Sequence, residues 1–157
     1  MSTKPVLVRY TDAEVLPASG VSLLADTTAT GGAVTTHRSI FRAGKEGAPP
    51  HTHSEASESF YVLSGALRVL IGDEITILEA GDFLLVPPNV THAFEAAGET
   101  DTEVLFVLTQ AKPRFGYYRL LEGVYRGETD PAELGKTQDL YDNRYAESPA
   151  WAARTSA

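Results

Sequence analysis

The 157-residue chain contains no cysteine, one methionine and one tryptophan. Without thiols it can build no disulfide scaffold, no thiolate-held zinc or iron–sulfur centre and no cysteine nucleophile. Positive charge is also scarce. Thirteen Lys and Arg face twenty-one Asp and Glu, for a net charge of −8. Sequence-independent nucleic-acid binding rests on basic side chains against phosphate, so no nucleic-acid partner is expected. No apolar run approaches the ~18 residues of a membrane helix, and no membrane partner is expected. The run Val6-Leu7-Val8, closed by Arg9, is too short for a signal-peptide core, so the expected location is the cytoplasm. What remains is a chain that is 43% apolar and 22% charged, the composition of a globular domain large enough to bury a core.

Most of the chain reads as short strands separated by turn residues. Val34–Phe41, Ser59–Leu63, Ala66–Ile71, Glu74–Leu78, Phe83–Val86, Val90–Phe94 and Val104–Leu108 are rich in β-formers. Gly72-Asp73 between two such runs is a hairpin signal, because glycine supplies the positive φ of a two-residue loop. Regularly spaced strands of this kind predict an all-β sandwich or barrel. The period changes after Pro113, where Tyr117, Leu120, Leu121 and Val124 fall at helical spacing. Asp130-Pro131-Ala132-Glu133 has the composition of a helix start. The expected division is therefore a barrel over 1–112 and a helical extension over 113–157 that packs on the barrel's outside or mouth. Tyr141, Tyr145 and Trp151 are its anchors.

Three of the four histidines lie in two short segments. His51 and His53 are two apart and share a face if the segment is extended. Glu58 opens the next strand, and His92 opens a later one. Three neutral imidazoles and one carboxylate suit a divalent transition metal, with positions left open for other ligands. His37, alone in an alternating strand, is read as an ordinary polar residue. Glu55, in the segment leaving the His51–His53 run, is read as solvated. By period two, Phe60 and Val62 face the same way as Glu58, and Phe94 the same way as His92. These three are the expected substrate-pocket wall.

The spacing His51-x-His53, four residues, Glu58, six residues, Gly65 resembles the first motif of the cupin superfamily. Gly81, five residues, Pro87-x-Asn89-x-x-His92 resembles the second, and fifteen residues separate Gly65 from Gly81. Asn89 stands where glycine is usual, a swap that a left-handed turn tolerates. The resemblance covers residues 44–108. It implies a double-stranded β-helix, a jelly-roll barrel, with His51, His53, Glu58 and His92 as ligands of one divalent metal: Fe, Mn, Ni, Cu, Co or Zn. The helical tail around Phe115–Leu121 resembles that of quercetinase-type dioxygenases. The implied activity is a metal-dependent, dioxygenase-like oxidoreductase acting on a small aromatic or enolisable molecule, with Glu58 alternating between ligand and general base. The alternatives are a non-redox cupin (polyketide cyclase, isomerase or epimerase) and a non-catalytic ligand-binding cupin. The outward positions Tyr61 and Leu63 need cover, and cupins commonly pair as homodimers.

Overall fold

A computed structural model describes residues 4–155, so the outermost residues of the two expected segments, 1–3 and 156–157, lie outside the described residues. Eleven strands, β1 (Glu14–Leu16), β2 (Val21–Ala25), β3 (Val34–Phe41), β4 (Ala48–Thr52), β5 (Ser57–Ser64), β6 (Ala66–Ile71), β7 (Glu74–Glu79), β8 (Phe83–Val86), β9 (His92–Ala96), β10 (Thr102–Thr109) and β11 (Arg144–Tyr145), form two sheets among these residues. Their orders are β1-β2-β3-β10-β5-β8 and β11-β4-β9-β6-β7, and the paired strands are antiparallel throughout. This is the jelly-roll barrel that the strand pattern and the motifs imply. The β6–β7 hairpin turns at Gly72, whose φ is 63°, with Ile71 opposite Glu74. The strands β1 and β2 precede the first run recognised by composition. In Val21-Ser22-Leu23-Leu24-Ala25 the adjacent leucines blur the alternation that would mark a half-buried strand.

Inward residues of β5 and β10 interlock in the core. Val62 sits opposite Val104, Phe60 opposite Phe106 and Glu58 opposite Leu108. Phe60, Val62, Val69, Val104 and Leu108 are fully buried, and Phe60 meets Phe94 and Phe106 at ring-centroid distances of 5.1 and 5.0 Å. Truncating a phenylalanine in such a place costs about 3–5 kcal/mol, from lost transfer energy plus the cavity left behind. Glu58 shares the inner face with Phe60 and Val62, as alternation requires. Tyr61 and Leu63 are exposed on the other face.

After the barrel, α2 (Phe115–Tyr125) follows the short α1 (Thr27–Thr30), and α3 (Ala132–Lys136), α4 (Gln138–Tyr141) and α5 (Pro149–Ala152) complete the chain. The Asp130 carboxylate accepts from the Ala132 N–H at 2.9 Å, satisfying a donor at the start of α3. Two docking surfaces hold this segment. Tyr118 of α2 packs with Leu16, Val21 and Leu23, beside the mouth of the barrel. Trp151 of α5 packs with Leu70 and Ala93 on the outer face of the second sheet. That second contact explains why all five residues of β9 are buried: one face looks into the barrel and the other lies under the tail. Among the described residues, no helix is long and apolar enough to cross a membrane.

Candidate metal centre and its cavity

His51 lies in β4, His53 one residue beyond its end, Glu58 in β5 and His92 at the start of β9. The β4–β9 register sets His51 opposite His92. One ligand atom from each of the four residues lies within 4.8 Å of the others. Exposures are 5, 2, 4 and 1% respectively, so these polar groups must satisfy one another or a shared ligand. Two turns hold the loops in place. Gly65, at φ 74°, has no room for a Cβ, which would stand 2.5 Å from the Asp101 carbonyl oxygen. Asn89, at φ 65°, donates its backbone N–H to the His53 carbonyl at 2.7 Å.

The imidazoles are oriented through their other nitrogens. His51 Nδ1 lies 2.7 Å from the Pro49 carbonyl, His53 Nδ1 2.7 Å from the Asp142 carbonyl and His92 Nδ1 2.9 Å from the Val90 carbonyl. A carbonyl oxygen only accepts, so each Nδ1 carries the hydrogen and each Nε2 is left for the site. His53 and His92 bring Nε2 to 3.0 and 2.8 Å from one oxygen, Glu58 Oε2. Lone pairs and a carboxylate oxygen this close repel unless a proton or a cation lies among them. Burial opposes the charge of Glu58, but the close approach of the His53 and His92 rings outweighs it and holds the carboxyl well below its ordinary range. For His51, burial first and then the neighbouring rings of His92 and His53 push the imidazole well below its ordinary value, so it stays neutral. Three imidazole nitrogens and one carboxylate, all buried, fit a metal ion and can hold one.

A cavity of about 820 Å³ opens from this centre to the surface. His51, Glu58 and Phe94 line its inner end. Its walls include Phe106 and His37 from the barrel, and Tyr117, Tyr118 and Arg114 from the segment that covers the mouth. Phe94 thus borders the cavity. Phe60 and Val62 sit in the core cluster and are not among the lining residues. Glu55 is exposed and lies 3.5 Å from Lys112, away from the four-residue group.

His37 does not behave as an ordinary satisfied strand residue. It is buried, and its Nδ1 has no hydrogen-bond partner. Burial pushes its pKa down to about 3. Arg114, which lines the cavity, and Asp142, which contacts His53, are the site residues that sequence reasoning missed. Asp142 ends α4 in the left-handed conformation, φ 52°. Its carboxylate accepts from Ser54 N at 2.7 Å, Ser54 Oγ at 2.6 Å and Glu55 N at 2.9 Å, while its carbonyl accepts from His53 Nδ1. The Asp142-Asn143 pair after an apolar helix end is the available signal, since these residues tolerate the left-handed region.

Comparison with known proteins agrees with this geometry. Residues 37–108 match the Cupin domain family. Acireductone dioxygenase 1 of Pectobacterium atrosepticum is 38% identical over 71 residues, 43% of this chain and 41% of that protein. Protein SchB of Streptomyces halstedii is 34% identical over 64 residues, 41% of this chain and 46% of that protein. The matched segments span under half the length of either relative. Among solved structures, KdgF from Halomonas sp. superposes with a TM-score of 0.56 at 22% identity, covering 69% of this chain and 94% of that one. The cupin match spans residues 37–108, which hold all four candidate ligands, and the barrel has the cupin fold.

Proposed function

We propose that this cupin is a metal-dependent, dioxygenase-like enzyme acting on a small aromatic or enolisable molecule. The observation that carries the reading is the convergence of three oriented imidazoles and one carboxylate at the inner end of an open, aromatic-walled cavity. The likeness to acireductone dioxygenase over 71 residues supports it. His51, His53, Glu58 and His92 would hold one divalent ion, Fe, Mn, Ni, Cu, Co or Zn. The bound ion would polarise a substrate oxygen and, if redox-active, couple the substrate to dioxygen. Glu58 is the catalytic residue of this proposal. Its carboxylate takes the proton of an enol or phenol hydroxyl at the cavity's inner end, which leaves the substrate electron-rich. The rings of Phe94 and Phe106 border a planar substrate, and α2 shields it from water.

Metal analysis followed by paired aerobic and anaerobic incubations with flavonols and simple enediols tests the proposal. Oxygen uptake matched to substrate loss is the expected result. Turnover that proceeds equally without oxygen would replace it with Lewis-acid cyclase, isomerase or epimerase chemistry. Binding without product would make the chain a ligand-binding cupin.

The outer face of the first sheet supports a homodimer. Phe83 and Leu85 of the edge strand β8 are 65 and 52% exposed beside Tyr61, an apolar strip that a second copy would cover. Sedimentation at the mass of one 16.9 kDa chain would refute the dimer.

A further inference from the structure

Arg114 is the one buried arginine among the described residues, at 3% exposure. The half-buried arginines all meet carboxylates: Arg38 reaches Glu103 at 3.0 Å, and Arg68 and Arg154 reach Glu95 at 2.8 and 2.9 Å. Among the described residues, Arg114 has no such ion pair. Its guanidinium donates to the Tyr141 carbonyl at 2.5 Å and reaches Asn143 Oδ1 and Tyr118 Oη only at 3.4 and 3.5 Å. All three acceptors are neutral. The nearby Asp26 carboxylate is occupied by backbone N–H groups of Thr27, Arg114 and Phe115 and by the Thr35 hydroxyl. A permanently charged five-donor fork is therefore left on the cavity wall without a counter-charge of its own.

A second buried group on the same wall is also unfulfilled. His37 lies parallel to Phe106 at 4.8 Å and tilts against Tyr118 at 4.3 Å. Neither of its ring nitrogens has a hydrogen-bond partner among the described residues, and Nδ1 is sealed from solvent. Tyr118, which touches His37 with its ring and Arg114 with its hydroxyl, links the two.

We propose that the cavity binds a planar organic anion whose carboxylate is gripped by Arg114, with His37 hydrogen-bonding the same end. The opposite end of the molecule then faces His51, Glu58 and the other candidate ligands. Only that orientation rests on the metal-dependent reading; the anion site does not. The charged lining residues, Arg42, Lys45 and Arg114 against Glu46 and Glu58, leave one positive charge in excess. A divalent cation would add to that positive charge, which a chelating anion offsets. Cavities of this size commonly enclose most of a small ligand's surface.

Calorimetric titration of 2-naphthoate and its neutral counterpart 2-naphthamide, into metal-free and zinc-loaded protein, tests the site. Wild type is expected to prefer the anion by roughly tenfold or more in both forms. Arg114→Gln is expected to weaken 2-naphthoate by roughly ten- to a hundredfold and to leave 2-naphthamide within about threefold. His37→Phe is expected to weaken the anion by roughly threefold or more. If Arg114→Gln does not fold, Arg114→Lys decides, because it keeps the charge but loses the fork and should weaken the anion by roughly threefold or more. Equal affinity of wild type for the two probes, or a preference untouched by these substitutions, overturns the site. A preference present only with zinc and indifferent to Arg114 places the carboxylate at the metal, which overturns the anion site and keeps the metal reading. Anion preference lost in Arg114→Gln by a protein that takes up no zinc keeps the anion site and overturns the metal reading.

Discussion

The barrel and the segment that follows it contribute to the centre in different ways. His51 and His92 are aimed by carbonyls two residues before them, Pro49 and Val90. His53 is aimed by a carbonyl 89 residues further on, at Asp142. The barrel thus supplies every candidate ligand and orients two of the three imidazoles by local backbone geometry. The C-terminal segment supplies no ligand, yet it orients the third imidazole and walls the cavity. Chemistry is encoded locally, while its precision and its access are encoded at long range.

The sharpest break of this contrast is removal of the ligands. His51→Ala with His53→Ala is expected to take bound metal from one ion per chain to none, read by elemental analysis after gel filtration; retained metal would show that the ligands lie elsewhere. Next comes Trp151→Ala, which empties the tail's anchor on Leu70 and Ala93. About 3–5 kcal/mol of unfolding free energy should be lost in denaturant titrations, with little change in cation affinity. A parallel collapse of affinity would mean that the outer docking surface also tunes the centre. Asp142→Ala removes the carboxylate that clamps Ser54 and Glu55, and should weaken cation binding by about 10–100-fold in chelator competition. Unchanged affinity would show that the carbonyl that aims His53 stays in place without the Asp142 carboxylate.

The smallest effect concerns pH. His37 has a folded pKa of about 3, against ~6.5 in an unfolded chain. Between those values the unfolded chain binds a proton that the folded chain does not. Stability from this group is therefore complete above ~6.5 and falls as pH drops, by at most about 1.4 kcal/mol per pH unit. His37→Phe should flatten that part of the stability profile. Below pH ~4 both proteins should weaken together, because Asp26, Glu95 and Asp142 are all held below their ordinary values and protonation removes their hydrogen-bonded charge. Superimposable profiles above pH ~5 would contradict the assigned state of His37.

These differences also explain what was legible in the sequence. His51 and His53 stood out because a two-residue spacing in an extended segment places side chains on a shared face; Glu58 and His92 joined them through the resemblance to the cupin motifs, and the register of β4 with β9 sets His92 opposite His51. Phe60 and Val62 were placed on the correct inner face, yet alternation says nothing about position along the barrel, and these two lie fully buried in the core cluster. The cavity opens instead toward β3, where His37 stands. Arg114 gave no warning. An arginine beside Pro113 in a polar connection reads as solvated, and its burial follows only once α2 packs against β1 and β2. Those two strands were themselves missed, so the surface that α2 covers had no counterpart in the sequence reading.

The hydrogen bond from His53 to the Asp142 carbonyl also ties two equilibria together. If ordering of the α4 turn strengthens the grip on a cation, then by thermodynamic reciprocity the cation must strengthen that turn by the same free energy. Amide exchange around residues 137–143 should slow on metal loading even though no ligand lies there. The far end of the chain would then report, through its own backbone, whether the barrel is charged with its ion.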